Sequence, residues 1–156
     1  MNSLTIGSKA PDFTLTNSDK QAVTLSEHFS KPIVLLFFPL AFTSVCTAEL
    51  CSVRDNITFY NQTNATVLGI SVDSPFTLAK FKEEQKLNFQ LLSDFNKEVS
   101  GAYGSLYENF VLGLKGVSKR SAFVINTEGT IVYAEVLENA GDQPNFNAIQ
   151  DALRAL

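Results

Sequence analysis

The chain has 156 residues, 45% of them hydrophobic and 18% charged, and its formal net charge is −4. This composition excludes an intrinsically disordered chain and predicts one soluble globular domain over residues 1–156. The acidic balance, with a sequence pI near 4.9, argues against a nucleic-acid-binding surface, which is normally basic.

No targeting or membrane segment is recognisable in the sequence. Residues 1–5 have neither a basic start nor an apolar stretch of signal-peptide length. The most apolar run, residues 33–38, is far shorter than the roughly 20 residues needed to span a bilayer. We therefore expect a cytoplasmic protein that does not bind membranes. Two cysteines and one histidine are also too few for a disulfide scaffold or for a zinc site built from Cys and His.

The first half of the chain predicts strands that alternate with helices. Short strands are expected over residues 13–15 and 22–25, with Ser26 capping a brief helical turn. Residues 33–38 form a continuous apolar run between two prolines, which is typical of a strand buried on both faces. Residues 44–60 carry apolar side chains at helical spacing, and residues 65–72 predict a second apolar strand.

The second half continues this pattern. Pro75 opens a helix that carries Leu78, Phe81 and Leu87 on one side. A strand over 90–92, a short helix over 98–103, and a hairpin of strands 121–126 and 130–136 follow. The terminal helix over 146–156 is expected to turn Phe146, Ile149, Leu153 and Leu156 inward. Together these elements predict an α/β sheet with helices on both faces.

Cys46 is the first candidate functional residue. It lies in the first turn of a predicted helix, just after a buried strand, where sites in such sheets usually occur. The partial positive charge of a helix N-terminus favours a thiolate, which is the nucleophilic form. Thr43 lies within one turn before the sulfur and Glu49 one turn beyond it. Each residue also has a plain structural interpretation. Cys46 can be a small buried hydrophobe, Thr43 an N-cap, and Glu49 an acid favoured by the helix dipole.

Residues 39–46, Pro-Leu-Ala-Phe-Thr-Ser-Val-Cys, resemble the Pro-x-x-x-Thr-x-x-Cys signature of the peroxiredoxins. Residues 7–13, 70–73, 92–94 and 119–125 are also similar to segments of that family, so the resemblance covers nearly the whole chain. Residues 38–43 and 134–135 most resemble the AhpE type. The resemblance implies a thioredoxin-like fold, with a central mixed β-sheet flanked by helices, in a single domain over 1–156.

The implied function is a thiol-dependent peroxidase that reduces hydrogen peroxide and organic hydroperoxides. The resemblance gives Cys46 the peroxidatic role, through a sulfenic acid intermediate. Thr43 would hydrogen-bond the peroxide and the sulfur, and Arg120 would stabilise charge on both. Pro39 would shield the sulfenate, and Glu49 would orient an arginine. No metal or organic cofactor is implied, because sulfur carries out the redox chemistry.

Cys51 has two interpretations. Its spacing from Cys46 matches the resolving cysteine of the bacterioferritin-comigratory or Q type, which AhpE-type chains commonly lack. Five residues along a helix give a rise of about 7.5 Å and a rotation of roughly 140°. A disulfide requires Cα atoms within about 7 Å, so the helix would have to unwind first. Alternatively, Cys51 is a packed helix residue in a one-cysteine enzyme.

The two interpretations imply different reductants. A thioredoxin-like protein would reduce an internal disulfide, whereas a mycoredoxin, a glutaredoxin-like protein or a low-molecular-weight thiol would reduce the sulfenate. The resemblance also implies a homodimer through the active-site edge. Phe38, Phe42 and Phe110 are either an apolar entrance for organic peroxides or parts of the core. The lone His28 is expected to be exposed rather than a general base.

Two other functions use the same cysteine. A peroxide-sensing or chaperone-like redox protein would form the sulfenate without turnover. A general thiol–disulfide oxidoreductase would need two sulfurs one turn apart, and the sequence contains no Cys-x-x-Cys.

Overall fold

The computed structural model describes residues 4–156, and residues 1–3 of the predicted domain lie outside that range. The strands are β1 (Thr14–Asn17), β2 (Ala22–Thr24), β3 (Ile33–Phe37), β4 (Thr66–Ser71), β5 (Gln90–Ser93), β6 (Leu106–Tyr107), β7 (Val117–Ser118), β8 (Ser121–Ile125) and β9 (Ile131–Val136). The α-helices are α1 (Ser44–Asp55), α2 (Ile57–Gln62), α3 (Pro75–Gln85), α4 (Glu98–Ala102) and α5 (Phe146–Arg154).

Seven strands form one mixed sheet in the order β2-β1-β5-β4-β3-β8-β9. The central strands β3, β4 and β5 run parallel, while β1 joins β5 and β8 joins β3 in antiparallel pairs. The predicted hairpin is present as β8 and β9. Strands β6 and β7 pair separately, and the sequence pattern did not predict them. The α/β class with a central mixed sheet is confirmed.

Strand β3 is buried along its whole length, as its apolar run predicts. Successive side chains of a strand point to opposite faces, so β3 contributes to two cores. Val34 and Leu36 pack on the face covered by α1, α2, α3 and α5. Leu35 and Phe37 pack on the other face with Tyr103, which follows α4. Helices and loops therefore cover both faces of the sheet. A functional site is expected at the ends of the strands instead.

The predicted helix over 44–60 is two helices, and the single-helix prediction was wrong. Helix α1 ends at Asp55 and α2 begins at Ile57, with Asn56 between them at φ −109° and ψ 16°. The Asn56 side-chain amide donates to the Ser52 carbonyl at 2.8 Å. An asparagine that bonds nearby backbone in this way competes with the helical ladder, which explains why the helix ends there.

Four smaller predictions also need correction. Helix α3 ends at Gln85 because Lys86 adopts a left-handed conformation, so the buried Leu87 lies beyond the helix. Leu156 is 53% exposed rather than inward, since α5 ends at Arg154. Ser26 lies inside the short 3₁₀ turn that it was expected to cap. His28 lies in the same turn and is half-buried rather than exposed.

Among residues 4–156, no helix combines the length and apolarity needed to cross a membrane.

Candidate active site

The candidate site forms where β3 ends and β8 begins. Pro39 is buried just after β3, and the Phe38 N–H donates to the Ile70 carbonyl at 2.9 Å. Because β3 and β8 are antiparallel with Phe37 opposite Ser121, Arg120 lies at the same edge of the sheet as Pro39. Two segments about 80 positions apart in the sequence thus meet at one site.

Helix α1 places Cys46 in its first turn. Thr43 is the N-cap residue, and the Cys46 side chain is 1% exposed. The Thr43 hydroxyl donates to the Leu40 carbonyl at 2.8 Å and not to the helix backbone. Within the described part of the chain, no hydrogen bond joins Thr43 to Cys46. The buried sulfur and the exposed threonine hydroxyl therefore lie within one helical turn and share no hydrogen bond in this conformation.

Arg120 contacts the sulfur directly. Its Nη2 donates to Cys46 Sγ at 3.2 Å, and its Nε and Nη2 both donate to the Ala140 carbonyl, at 3.2 and 3.0 Å. The side chain is only 2% exposed, so Arg120 is not a solvated surface cation. Sequence reasoning also missed Ala140, since a backbone carbonyl gives no residue-type signal.

Glu49 completes a buried ion pair. Its Oε1 accepts from Arg120 Nη1 at 2.7 Å, and its side chain is fully buried. The other oxygen, Oε2, is buried and has no hydrogen-bond partner among residues 4–156. Burial raises the pKa of Glu49 to about 7 even though the charge of Arg120 opposes that shift.

The guanidinium is held in its charged form. Burial alone would lower the pKa of Arg120, but the charges of Glu49 and Cys46 more than offset burial and raise it above its ordinary value. A planar guanidinium carries several donors in fixed directions, so one side chain serves the sulfur, a carboxylate and a carbonyl at once. The arrangement presents a buried sulfur nucleophile beside a fixed cationic donor.

Asp73 supports the loop that leads into α1, and the sequence did not single it out. Its Oδ2 accepts from the Ala41 N–H at 2.8 Å and from the Ser71 hydroxyl at 2.7 Å. The Ser93 hydroxyl donates to the Asp73 carbonyl at 2.6 Å. The one feature of the sequence that could have identified Asp73 is its position, because it follows β4 at the same edge of the sheet as Pro39.

The three phenylalanines considered for an entrance have different environments. Phe38 is fully buried in the core, whereas Phe42 is 48% exposed, with φ 67°. The Phe42 ring packs edge-on against Phe81, with centroids 5.1 Å apart. Phe110 stacks on Tyr107 beside an open cavity of about 640 Å³ that Ala140 also lines. Only Phe42 and Phe110 therefore lie at the surface near the site.

Cys51 lies five residues beyond Cys46 on the intact helix α1. Both cysteines are free thiols, and Cys51 is partly buried. Its thiol donates to the side-chain oxygen of Gln85 at 3.5 Å. The intact helix prevents a disulfide between Cys46 and Cys51 in this conformation. The described residues also contain no cluster of three or more His, Cys, Asp or Glu that could hold a metal ion.

Comparisons with known proteins agree with one another. A family model described as the AhpC/TSA family matches residues 6–134. The chain is 37% identical to a putative peroxiredoxin bcp of Haemophilus influenzae over all of both chains. It is also 37% identical to alkyl hydroperoxide reductase E of Mycobacterium tuberculosis, over 98% of each chain.

Solved structures give the same fold. Peroxidoxin BcpB from Mycobacterium tuberculosis superposes with a TM-score of 0.86, at 32% identity over 97% of each chain. A PrxQ mutant from Xylella fastidiosa superposes with a TM-score of 0.87, at 26% identity over 99% of this chain and 98% of its own. The thioredoxin-like fold predicted from the sequence is thereby confirmed.

Proposed function

The chain belongs to the AhpC/TSA family and is a peroxiredoxin, an enzyme that reduces peroxides with a thiol, and we propose that Cys46 is its peroxidatic residue. We take residues 1–156 as one catalytic domain. The observation that carries this assignment is the buried contact of 3.2 Å between Arg120 Nη2 and Cys46 Sγ. A charge-assisted donor at this distance stabilises negative charge on the sulfur and on any oxygen bound beside it.

The first step is attack of the Cys46 thiolate on one oxygen of a hydroperoxide. The sulfur–oxygen bond forms as the oxygen–oxygen bond breaks. The leaving oxygen takes a proton and departs as water or an alcohol, and Cys46 becomes a sulfenic acid. Arg120 would stabilise the negative charge that moves from the sulfur to the leaving oxygen, at no cost in reorganisation because Glu49 and the Ala140 carbonyl already hold it.

Pro39 and Thr43 would act on the peroxide side of the sulfur. Pro39 is buried next to the end of β3, where it limits water access to the sulfenate. The Thr43 hydroxyl is exposed and bonds only the Leu40 carbonyl among the described residues. A rotation about one side-chain bond would free it to meet a peroxide oxygen. Both roles agree with the family resemblance.

The second step is attack of the Cys51 thiol on the Cys46 sulfenic acid. The sulfur–sulfur bond forms as the sulfur–oxygen bond breaks, and the oxygen leaves with a proton as water. Helix α1 must open locally for this step, since the two residues cannot meet on an intact helix. A dithiol such as a thioredoxin then supplies two electrons and two protons and restores both thiols. If Cys51 does not react, a glutaredoxin-like protein, a mycoredoxin or a small thiol reduces the sulfenate instead.

We propose hydrogen peroxide and organic hydroperoxides as substrates. The name of alkyl hydroperoxide reductase E attributes organic substrates to that relative, and it supports them here.

We also propose a homodimer in the cytoplasm. Large apolar side chains are exposed at positions that a second copy could cover, and Phe76 and Phe95 border one groove. Light scattering on the wild type, Phe76→Ser and Phe95→Ser tests the dimer, and a monomeric wild type would overturn it.

Mass spectrometry of rapidly quenched reactions tests the cysteine roles. The chain has no tryptophan, so intact mass is a better readout than intrinsic fluorescence. Reduced protein is mixed with one equivalent of peroxide, beside the variants Cys46→Ser and Cys51→Ser. We expect the wild type to lose two hydrogens, the mark of an internal disulfide. Cys51→Ser should stop at the gain of one oxygen, and Cys46→Ser should not react.

Three other outcomes would change the roles assigned to the cysteines. Slow oxidation of the wild type, at the rate of an ordinary free thiol, would overturn the assignment of Cys46. A stable sulfenic acid in the wild type would overturn the role of Cys51 and leave a one-cysteine cycle. Fast oxidation by one equivalent of peroxide, with no further peroxide consumed when each class of reductant is added, would favour a sensor.

A further inference from the structure

The half of helix α1 that carries Cys51 is tied to the end of helix α3. The Cys51 thiol donates to Gln85 Oε1 at 3.5 Å, and Arg54 Nη1 donates to the Gln85 backbone carbonyl at 2.6 Å. The Asn88 side-chain amide donates to the Arg54 carbonyl at 3.2 Å. Three hydrogen bonds thus join the second half of α1 to the α3 end and the turn that follows it.

The position of Gln85 at the end of α3 strengthens the hydrogen bond that its carbonyl accepts from Arg54. Gln85 is the last residue of α3, where backbone carbonyls have no helical partner and the helix carries partial negative charge. A guanidinium that donates to such a carbonyl satisfies the carbonyl and complements the dipole. The same residue therefore holds Arg54 through its backbone and Cys51 through its side chain.

The first turn of α1 is fixed in a different way. Thr43 makes no side-chain cap bond, and the first turn contains no acidic residue. The Thr47 hydroxyl bonds the Thr43 carbonyl at the start of the same helix, whereas the side-chain bonds that join Cys46 and Glu49 to another element run through Arg120. Oxidation of Cys46 replaces the sulfur atom that Arg120 contacts with a larger sulfenic acid group. The reaction itself therefore perturbs the links of the first half and leaves the links of the second half in place.

We propose that Arg54 and Gln85 are positioning residues for the resolving step. They hold Cys51 against the end of α3 while the turn that carries Cys46 unwinds and swings toward it. The inference rests on the proposed resolving role of Cys51. It goes further in stating which half of the helix opens and which side chains fix the other half.

The variants Arg54→Gln and Gln85→Leu test the proposal, with quenched-flow mass spectrometry after one equivalent of peroxide. Two rates are read from each run, the gain of one oxygen and the later loss of two hydrogens. We expect the first rate to match the wild type, because neither side chain contacts Cys46 or Arg120. The second rate should fall about fivefold, the rate equivalent of one net hydrogen bond. Arg54→Lys, which keeps a cationic donor, should recover part of the loss.

Arg154→Gln is the matched control, because each arginine lies in the last turn of a helix and pairs with a nearby acid. Arg54 Nε donates to Asp55 Oδ1 at 2.9 Å, and Arg154 Nη1 donates to Asp151 Oδ1 at 3.2 Å. Both rates of Arg154→Gln should equal those of the wild type. An unchanged or faster disulfide step in Arg54→Gln and Gln85→Leu would overturn the proposal. A parallel fall of both rates would also overturn it, because it would indicate a general loss of structure.

Hydrogen exchange gives a second readout on the oxidised wild type. The amides of residues 47–51 bond the carbonyls of residues 43–47, so they should lose protection when the turn that carries Cys46 unwinds, while the amides of residues 52–55 keep it. Equal loss in both halves would contradict the one-sided opening. If the wild type forms no disulfide at all, the resolving role itself fails. If the disulfide forms at the same rate in all variants, only the positioning by Arg54 and Gln85 fails.

Discussion

Arg120 Nη1 lies 2.7 Å from Glu49 Oε1, and both side chains are almost completely removed from solvent. Removing one partner of a buried ion pair leaves an uncompensated charge, which costs about 3–5 kcal/mol. This pair has a further consequence, because the same guanidinium donates to Cys46 Sγ. We therefore propose that Glu49 acts on the sulfur through Arg120, by fixing the direction in which the guanidinium points.

Arg120→Lys tests the donor to the sulfur. Lysine keeps the positive charge, but its single ammonium cannot reach the sulfur, the carboxylate and the Ala140 carbonyl in the fixed geometry of a guanidinium. We expect the rate constant for Cys46 oxidation by hydrogen peroxide to fall by about 10²-fold, as for the loss of one preorganised donor. The rate is measured by quenched-flow mass spectrometry, with the exposed Arg154→Lys as control. A wild-type rate in Arg120→Lys would remove Arg120 from the first step.

Glu49→Gln tests the raised pKa through protein stability. Burial raises the pKa of Glu49 from 4.5 to about 7, so the unfolded chain ionises at lower pH than the folded protein. Ionisation of the unfolded state favours unfolding, and the contribution of Glu49 is full below pH 4.5 and lost as pH rises to about 7. The free energy of unfolding of the wild type should therefore fall relative to Glu49→Gln across this window.

Urea unfolding of both proteins, at several pH values from about 4 to about 8, measures this difference. It should change only within the window and be constant on either side. A difference that is flat throughout would show that Glu49 is ionised in the folded protein as readily as in the unfolded chain, and a change in the opposite direction would show that it is ionised more readily there.

Lys86→Gly tests the backbone at the end of α3. Lys86 adopts a left-handed conformation with φ 52°, which costs a residue with a Cβ atom about 1 kcal/mol relative to glycine. We expect the free energy of unfolding to rise by up to about 1 kcal/mol. The matched control is Lys80→Gly inside the same helix, where glycine should instead cost about 1 kcal/mol. Chemical denaturation of both variants should give opposite signs, and two changes of the same sign would contradict the assigned conformation.

The sequence predicted the parts of this fold that depend on local pattern. The buried strand β3, the helix that begins at Ser44 and the β8–β9 hairpin each follow from apolar periodicity and turn residues. Boundaries failed where one side chain overrode the pattern, as Asn56 does between α1 and α2. The apolar spacing continues through Asn56, so periodicity alone does not reveal the break.

The site was predictable in its residues but not in its contacts. Helix position and the family signature pointed to Cys46, and the resemblance of residues 119–125 to the family pointed to Arg120. The sequence did not reveal that Arg120 is buried or that it bonds Ala140, since both depend on the pairing of β3 with β8. Asp73 was missed for a similar reason, because one partner, Ala41, lies in a loop 32 residues earlier and the other, Ser71, is the last residue of β4.

Asp73→Ala tests how far this missed residue supports catalysis. The variant removes the acceptor for the Ala41 N–H and the Ser71 hydroxyl, so the loop between Pro39 and Thr43 loses its link to the end of β4. Loss of such an acceptor costs about 1–3 kcal/mol of stability. A displacement of about 1 Å at a reacting group costs up to about 10²-fold in rate. We therefore expect Cys46 oxidation to slow by about 10-fold or more.

Asp73→Asn separates positioning from a need for charge. The Ala41 N–H and the Ser71 hydroxyl bond the same oxygen, Oδ2, so the amide oxygen of asparagine can accept from both, although a neutral acceptor binds them more weakly than a carboxylate. If Asp73 acts by holding the loop, the oxidation rate of Asp73→Asn should lie between those of Asp73→Ala and the wild type, and stability should follow the same order. Asp19→Ala, at an exposed turn, is the control for loss of an acid. Equal slowing in the Asn and Ala variants would mean that the negative charge itself is required, and a wild-type rate in Asp73→Ala would show that the loop keeps its course without this carboxylate.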